Sequence, residues 1–156
     1  METARPAQPD DMSACAVLLA KALDTVRSVR GGPALVGQAT AEQILGRWAD
    51  AAPSDATIYV GEYDHVIVGL AAATVATRMH AEVGEHSGRI ECCYVEEGAR
   101  GVGVGSVLME SVVAWCGARG CQDVDALALP GDRHSKQRFE AAGFTARLLV
   151  LNRRLN

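Results

Sequence analysis

Val95-Glu96-Glu97-Gly98-Ala99-Arg100-Gly101-Val102-Gly103-Val104-Gly105-Ser106 is the stretch that decides the reading of this chain. An apolar strand pattern ends at Val95, a glycine-rich loop follows, and a helix begins. Val104, Val107, Leu108, Val112 and Trp115 recur on one face of that helix, and Gly120 suits its end. The first amides of a helix have no intrahelical acceptor, and the helix dipole adds positive potential there. Glycine lets the backbone approach an anion closely, because no Cβ intervenes. Phosphate or pyrophosphate is therefore the natural guest. Arg100 adds a cation beside the loop. No Gly-Lys-Ser/Thr is present, which excludes a P-loop. A dinucleotide fingerprint would require glycine where Ser106 stands, and the loop follows an apparent hairpin instead of a first strand.

Working outward, residues 89–95 read as the strand that feeds the loop. Before it, residues 57–63 and 66–77 read as a hairpin turning at Asp64-His65, and residues 78–88 as a polar loop. An opening helix starts at Pro9-Asp10-Asp11 and carries Met12, Leu18, Leu19, Leu23 and Val26 at helical spacing. Residues 30–33 end it. A second helix starts at Thr40, where Gln43 three residues on matches a capping box. Beyond the glycine loop's helix, residues 123–129 predict a short strand and residues 135–142 a short helix stopped by Gly143. Residues 144–151 predict a last apolar strand. Helices, a β-meander, then alternating strands and helices describe an α/β (α+β) domain with a mixed sheet. Residues 1–156 are taken as a single domain.

The totals narrow the function classes. The chain has 156 residues, 49% of them hydrophobic and only 4% aromatic, so its core is mostly aliphatic. Its 15 Lys+Arg against 19 Asp+Glu give a net charge of -4, which argues against a nucleic-acid partner and leaves room for a cationic small substrate. No apolar run approaches the roughly 18 residues of a membrane span. No signal peptide is evident in residues 1–9, and five cysteines read as reduced thiols, so a cytoplasmic location is expected. No cysteine pair has zinc-site spacing, and no metal is expected. His80, Glu82, Glu85 and His86 read as a solvated loop that borders an acceptor site, not as ligands. Leu148-Leu149-Val150-Leu151 reads as a core strand, with a homodimer contact as the sharper alternative.

Arg100-Gly101-Val102-Gly103-Val104-Gly105 resembles the Arg/Gln-x-x-Gly-x-Gly/Ala acetyl-CoA loop of the GNAT superfamily of N-acetyltransferases. The resemblance continues along the chain. Arg5-Pro6-Ala7 with Asp10 or Asp11 looks like the usual start of that fold. Val66-Ile67-Val68-Gly69 resembles its third strand and residues 90–95 its fourth. Phe139-Glu140-Ala141-Ala142-Gly143-Phe144 is similar to the family's Tyr-Glu-x-x-Gly-Phe segment. The resemblance implies a central, mostly antiparallel mixed sheet flanked by about four helices, with the fourth and fifth strands splayed. It implies acetyl-CoA as co-substrate and an amine acceptor. The pyrophosphate would lie on the amides of Gly101, Val102, Gly103, Val104, Gly105 and Ser106, with help from Arg100. The pantetheine would pair with the backbone of Cys93 and Val95. Asp132, Ser135 and Phe139 would border the cofactor.

The chemistry of such a transfer can be argued from the groups. An alkyl amine with a pKa near 10 is only about one part in a thousand free base at neutral pH. A carboxylate, usually acting through water, takes the proton. Glu91 is the candidate general base: on a regular strand Glu91, Cys93 and Val95 share one face. The alternative is a strand-edge Glu91 paired with Arg89 or a loop cation. Two departures from the family stand out. Phe139 replaces the usual tyrosine and cannot donate a proton to a departing thiolate. Tyr94 is a poor substitute if it points away from Glu91. Asp132 replaces a common asparagine and suits a helix cap. The alternative to an enzyme is an acyl-CoA-binding sensor with little turnover.

Overall fold

The computed structural model of the chain describes residues 1–77 and 86–155. Five strands form one sheet in the order β1-β2-β3-β4-β5. They are β1 (Glu2–Pro6), β2 (Ala56–Tyr63), β3 (Val66–Thr77), β4 (His86–Val95) and β5 (Val124–Ala126). The helices are α1 (Met12–Arg27), the short α2 (Gly32–Val36), α3 (Ala41–Asp50), α4 (Val104–Ala118) and α5 (Arg133–Ala141). The first four strands run antiparallel to their neighbours, and β5 lies parallel to β4. The expected mixed α/β architecture is present.

Local chemistry explains the elements. Asp64 and His65 take φ of 48° and 66°, the left-handed pair of a two-residue hairpin turn between β2 and β3. Thr40 caps α3, its hydroxyl accepting from the Gln43 N–H while Gln43 accepts from the Thr40 N–H. Strand β3 is central, and Leu70, Ala71, Ala72 and Ala73 are all fully buried. A strand covered on both faces needs this continuous apolar run. On one face Leu18, Leu19 and Leu23 of α1 and Leu45 of α3 pack on Val60, Leu70 and Ala72. On the other, Val104, Leu108, Val112 and Trp115 of α4 pack on Ala71, Ala73, Cys93 and Val95.

Helix α4 comes down hard on the sheet because Gly61 and Gly69 lie beneath it. A Cβ on Gly61 would stand 2.6 Å from Val104 Cγ1, and one on Gly69 2.9 Å from Leu108 Cδ1. This close approach fixes the first turn of α4 beside the end of β4.

Several sequence expectations are corrected. Strand β1 was not foreseen; its Glu-Thr-Ala-Arg-Pro sequence has no apolar alternation, and pairing to β2 makes it a strand. Residues 86–88 belong to β4, not to a loop, because Ser87 and Gly88 pair with Ala76 and Val75. Strand β5 has three residues, not the seven of 123–129, since its ladder to β4 ends at Ile90–Ala126. Residues 144–151 form no strand: a strand needs a ladder, and nothing among the described residues pairs with them. Strand β4 also carries a bulge. Ala72 pairs with Cys92 and Ala73 with Ile90, so Glu91 is the extra residue.

Candidate acyl-transfer site

The loop after β4 begins with a single 3₁₀ turn at Glu97–Ala99. Gly101 and Gly103 then take φ of 87° and 93°, which a residue with a side chain adopts only at a cost. The N–H groups of Ser106 and Val107 both turn back to the Gly103 carbonyl, at 3.0 and 3.2 Å. The five preceding amides, Gly101 to Gly105, donate to no oxygen among the described residues. Five successive free donors at the positive end of α4 form an anion cradle. A Cβ on Gly101 would meet nothing within 4 Å, so the space in front of it is open. The expectation that the Ser106 amide is free for a phosphate is corrected: it donates to the Gly103 carbonyl, and Ser106 offers only its exposed hydroxyl.

Arg100 is exposed, but its side chain is held back toward the end of β4. Its Nε donates to the Val95 carbonyl at 3.3 Å, and its guanidinium lies 6.0 Å from the Tyr94 ring. The loop is tied to α1 by an ion pair between Lys21 and Glu96, which raises the Lys21 pKa through the Glu96 hydrogen bond.

Beside the cradle, β4 runs on past its partner. The β4–β5 ladder stops at Ile90, so Glu91 to Val95 have no β5 neighbour. Unpaired strand groups of this kind are a template for an extended ligand. The bulge sits where the two strands part, and it re-aims Glu91. Cys93 and Val95 face α4, whereas Glu91 lies on the opposite face, where its Oε1 accepts from Thr74 Oγ1 at 2.6 Å. The expectation that Glu91 shares a face with Cys93 and Val95 is thus overturned, because the extra residue breaks the alternation. Tyr94 packs on the α1 face, the same face as Glu91, and the reason for setting it aside falls away. Glu91 is exposed and reaches neither Arg89 nor any other cation among the described residues.

Asp132 caps α5: its Oδ1 accepts from the Ser135 N–H at 3.0 Å and its Oδ2 from the Ser135 hydroxyl at 2.6 Å. Both residues are therefore held by each other. Phe139 packs against Phe144, with ring centroids 5.5 Å apart, and against the α4-side core. His80, Glu82 and Glu85 lie outside the described residues, and His86 is exposed at the start of β4. The β4 thiols are poor nucleophiles. Burial pushes Cys92 up to about 12 and raises Cys93 as well.

Residues 23–144 match the Acetyltransferase (GNAT) family. The chain belongs to the GNAT acetyltransferase family. A search of curated proteins gives no significant match. Among solved structures, the chain is similar to the aminoglycoside N-acetyltransferase AAC(6')-Iy in complex with CoA, at 16% identity and a TM-score of 0.76, covering 99% of this chain and 95% of that one. It is also similar to glucosamine-6-phosphate N-acetyltransferase from Arabidopsis thaliana, at 17% identity and a TM-score of 0.68, covering 100% and 99%. A transcriptional regulator from Bacillus halodurans C-125 has 19% identity, a TM-score of 0.75 and coverage of 99% and 100%. At these identities the neighbours share the fold.

The residues present fit the coenzyme of the GNAT family. A diphosphate matches the free Gly101–Gly105 amides, and an extended arm matches the open stretch of β4. One residue of this GNAT chain escaped sequence reasoning. Arg138, on α5, has a buried Nε with no hydrogen-bond partner, and its charge acts on both Cys92 and Cys93. A buried donor without a hydrogen-bond partner departs from the rule that buried polar groups are paired, although the half-buried guanidinium lies 5.9 Å from the Phe139 ring. Nothing in the local sequence Ser135-Lys136-Gln137-Arg138 separates it from a solvated helix face.

Proposed function

We propose that the chain is a cytoplasmic N-acetyltransferase that moves an acetyl group from acetyl-CoA to an amine of a small molecule or peptide, by direct attack in a ternary complex. The observation that carries this reading is the run of five free amides, Gly101 to Gly105, opening beside the unpaired end of β4. Acetyl-CoA, when bound, supplies an activated thioester. The loop amides hold the diphosphate, and the Cys93 and Val95 backbone orients the pantetheine arm. Glu91 accepts the amine's proton, directly or through water, and passes it to solvent. Thr74 steadies the receiving carboxylate. Phe139 supplies an apolar wall and no proton. Arg138 supplies positive charge instead: a guanidinium does not release its proton near neutrality, so it steadies a departing thiolate without protonating it.

A thermal shift and a turnover assay test the reading together. Acetyl-CoA raises the Tm by mass action, by an amount that grows with its concentration. Thiol release with a panel of amines, peptides and aminoglycosides then reports transfer. Cofactor stabilisation without amine-dependent release would instead favour an acyl-CoA sensor, a reading that the missing Phe139 hydroxyl keeps open. No stabilisation by acetyl-CoA would remove both.

A further inference from the structure

Helix α4 opens at the cradle and closes between two cysteines. The Cys121 N–H donates to the Cys116 carbonyl at 3.2 Å, and the Gly120 N–H to the Gly117 carbonyl at 3.0 Å. Gly120 makes the turn with φ of 77°. In this type of helix ending the chain folds back on itself, and the residue just past the glycine meets the third residue from the helix end. Those two residues here are Cys121 and Cys116. The side chains follow the backbone: Cys121 packs against the α4-side core to which Cys116 belongs. Backbones joined this closely bring the two Cα atoms into the range that a disulfide spans.

The two thiols differ in access. Cys116 is fully buried and sits on β4, where a Cβ added to Gly88 would stand 2.5 Å from its Sγ. Cys121 is half-buried and reaches solvent. Burial first, and then Cys121, hold the Cys116 thiol up at about 11. Oxidant therefore meets Cys121 first. Cys116, adjacent and shielded, is placed to react with what forms there.

We propose that Cys116 and Cys121 form a reversible disulfide at the end of α4, a thiol-oxidation site whose oxidant is a low-molecular-weight disulfide. In the first step the Cys121 thiolate attacks one sulfur of the small disulfide. The small S–S bond breaks, a mixed disulfide forms on Cys121, and one small thiolate leaves. In the second step Cys116 gives up its proton and attacks the Cys121 Sγ. The mixed disulfide breaks and a second small thiolate leaves. Two protein thiols have become one disulfide, the oxidant has become two small thiols, and the two protein protons have passed to them. The second step is intramolecular, which favours it over accumulation of the mixed disulfide. The bridge ties the end of α4 to the segment that enters β5 at Val124, the partner of Gly88 on β4. This site goes beyond the proposed transfer reaction and does not depend on it.

The test uses oxidised glutathione on the folded full chain, an alkylating quench and tryptic peptide mapping. Arg119 lies between the two cysteines, so cleavage puts Cys116 in residues 101–119 and Cys121 in residues 120–133. The wild type is expected to yield these two peptides joined, with no glutathione retained on either, and dithiothreitol to separate them. In Cys116→Ala the reaction is expected to stop at a glutathione adduct on Cys121. In Cys121→Ser, a change on a half-buried side chain, Cys116 is expected to stay reduced. Wild-type mapping decides the matter even where Cys116→Ala, in the core, lowers stability. Three results would overturn the proposal: a glutathione adduct that persists on Cys121 of the wild type, both thiols still alkylated after exposure, or a bridge from either cysteine to Cys15, Cys92 or Cys93.

Discussion

Glu91 is the residue on which catalysis turns in this account, and its setting comes from one extra residue in β4. Glu91→Gln removes the proton acceptor and keeps the shape. It is expected to lower kcat by roughly 10²- to 10⁴-fold, with acetyl-CoA affinity nearly unchanged. An unchanged kcat would take Glu91 out of the reaction. Thr74 donates to Glu91 at 2.6 Å, and in the proposed reaction it acts through that carboxylate. Thr74→Val is expected to lower kcat while KM for acetyl-CoA holds, and Thr74→Ser, which keeps the hydroxyl, to restore it. In a Glu91→Gln background Thr74→Val should add little, because the coupled group is gone. Arg138→Met is expected to slow transfer from acetyl-CoA without lowering the Tm. The buried Nε has no hydrogen-bond partner, so an apolar side chain in its place breaks no hydrogen bond there. A lower Tm with normal turnover would mark Arg138 as structural.

The proposed cofactor cradle belongs to the scale of elements, because its free amides open where α4 sits against β4. Gly61 sets that seat. Gly61→Val forces a side chain into the place of Val104 and Leu108, and overpacking of this kind costs about 1–3 kcal/mol. A lower Tm together with weaker acetyl-CoA binding is expected; full-strength binding would separate the cradle from the helix's seat. The loop, α4 and the β2–β3 hairpin were legible in the sequence, because glycine runs, helical apolar periodicity and a tight turn are local signals. Strand β1 was not, since its strand character comes wholly from pairing to β2. The bulge at Glu91 was invisible because an extra residue looks like any other in an alternating pattern. Residues 144–151 read as a strand on composition alone, and composition names no partner. Asp132 was read correctly as a cap candidate, but its exclusive pairing with Ser135 follows from the geometry of α5.

At the scale of the whole molecule, Arg5 holds three parts of the chain together. Its guanidinium reaches Asp11 at 2.6 Å, before α1, and Glu62 at 2.7 Å, on β2. Arg5 first, and then the Gln8 N–H, hold the Asp11 carboxyl below the ordinary carboxylate range. A carboxyl bound more tightly as the anion in the folded state adds stability above its unfolded pKa, about 4. That contribution is lost as pH falls through the lower folded value. The wild type is therefore expected to lose stability below about pH 4, and Asp11→Asn to start lower at neutral pH and fall less steeply there. Parallel acid limbs for the two proteins would assign the stability to other groups. The Gly101–Gly105 cradle is the centre of the whole account, and one titration reaches it most directly. Acetyl-CoA is titrated calorimetrically into the wild type and into Gly101→Val, with an acetylated pantetheine that lacks the diphosphate as the control ligand. The account predicts saturable acetyl-CoA binding to the wild type, loss of it in the variant, and weak binding of the control to both. Equal acetyl-CoA binding by the two proteins, or none by the wild type, would contradict it.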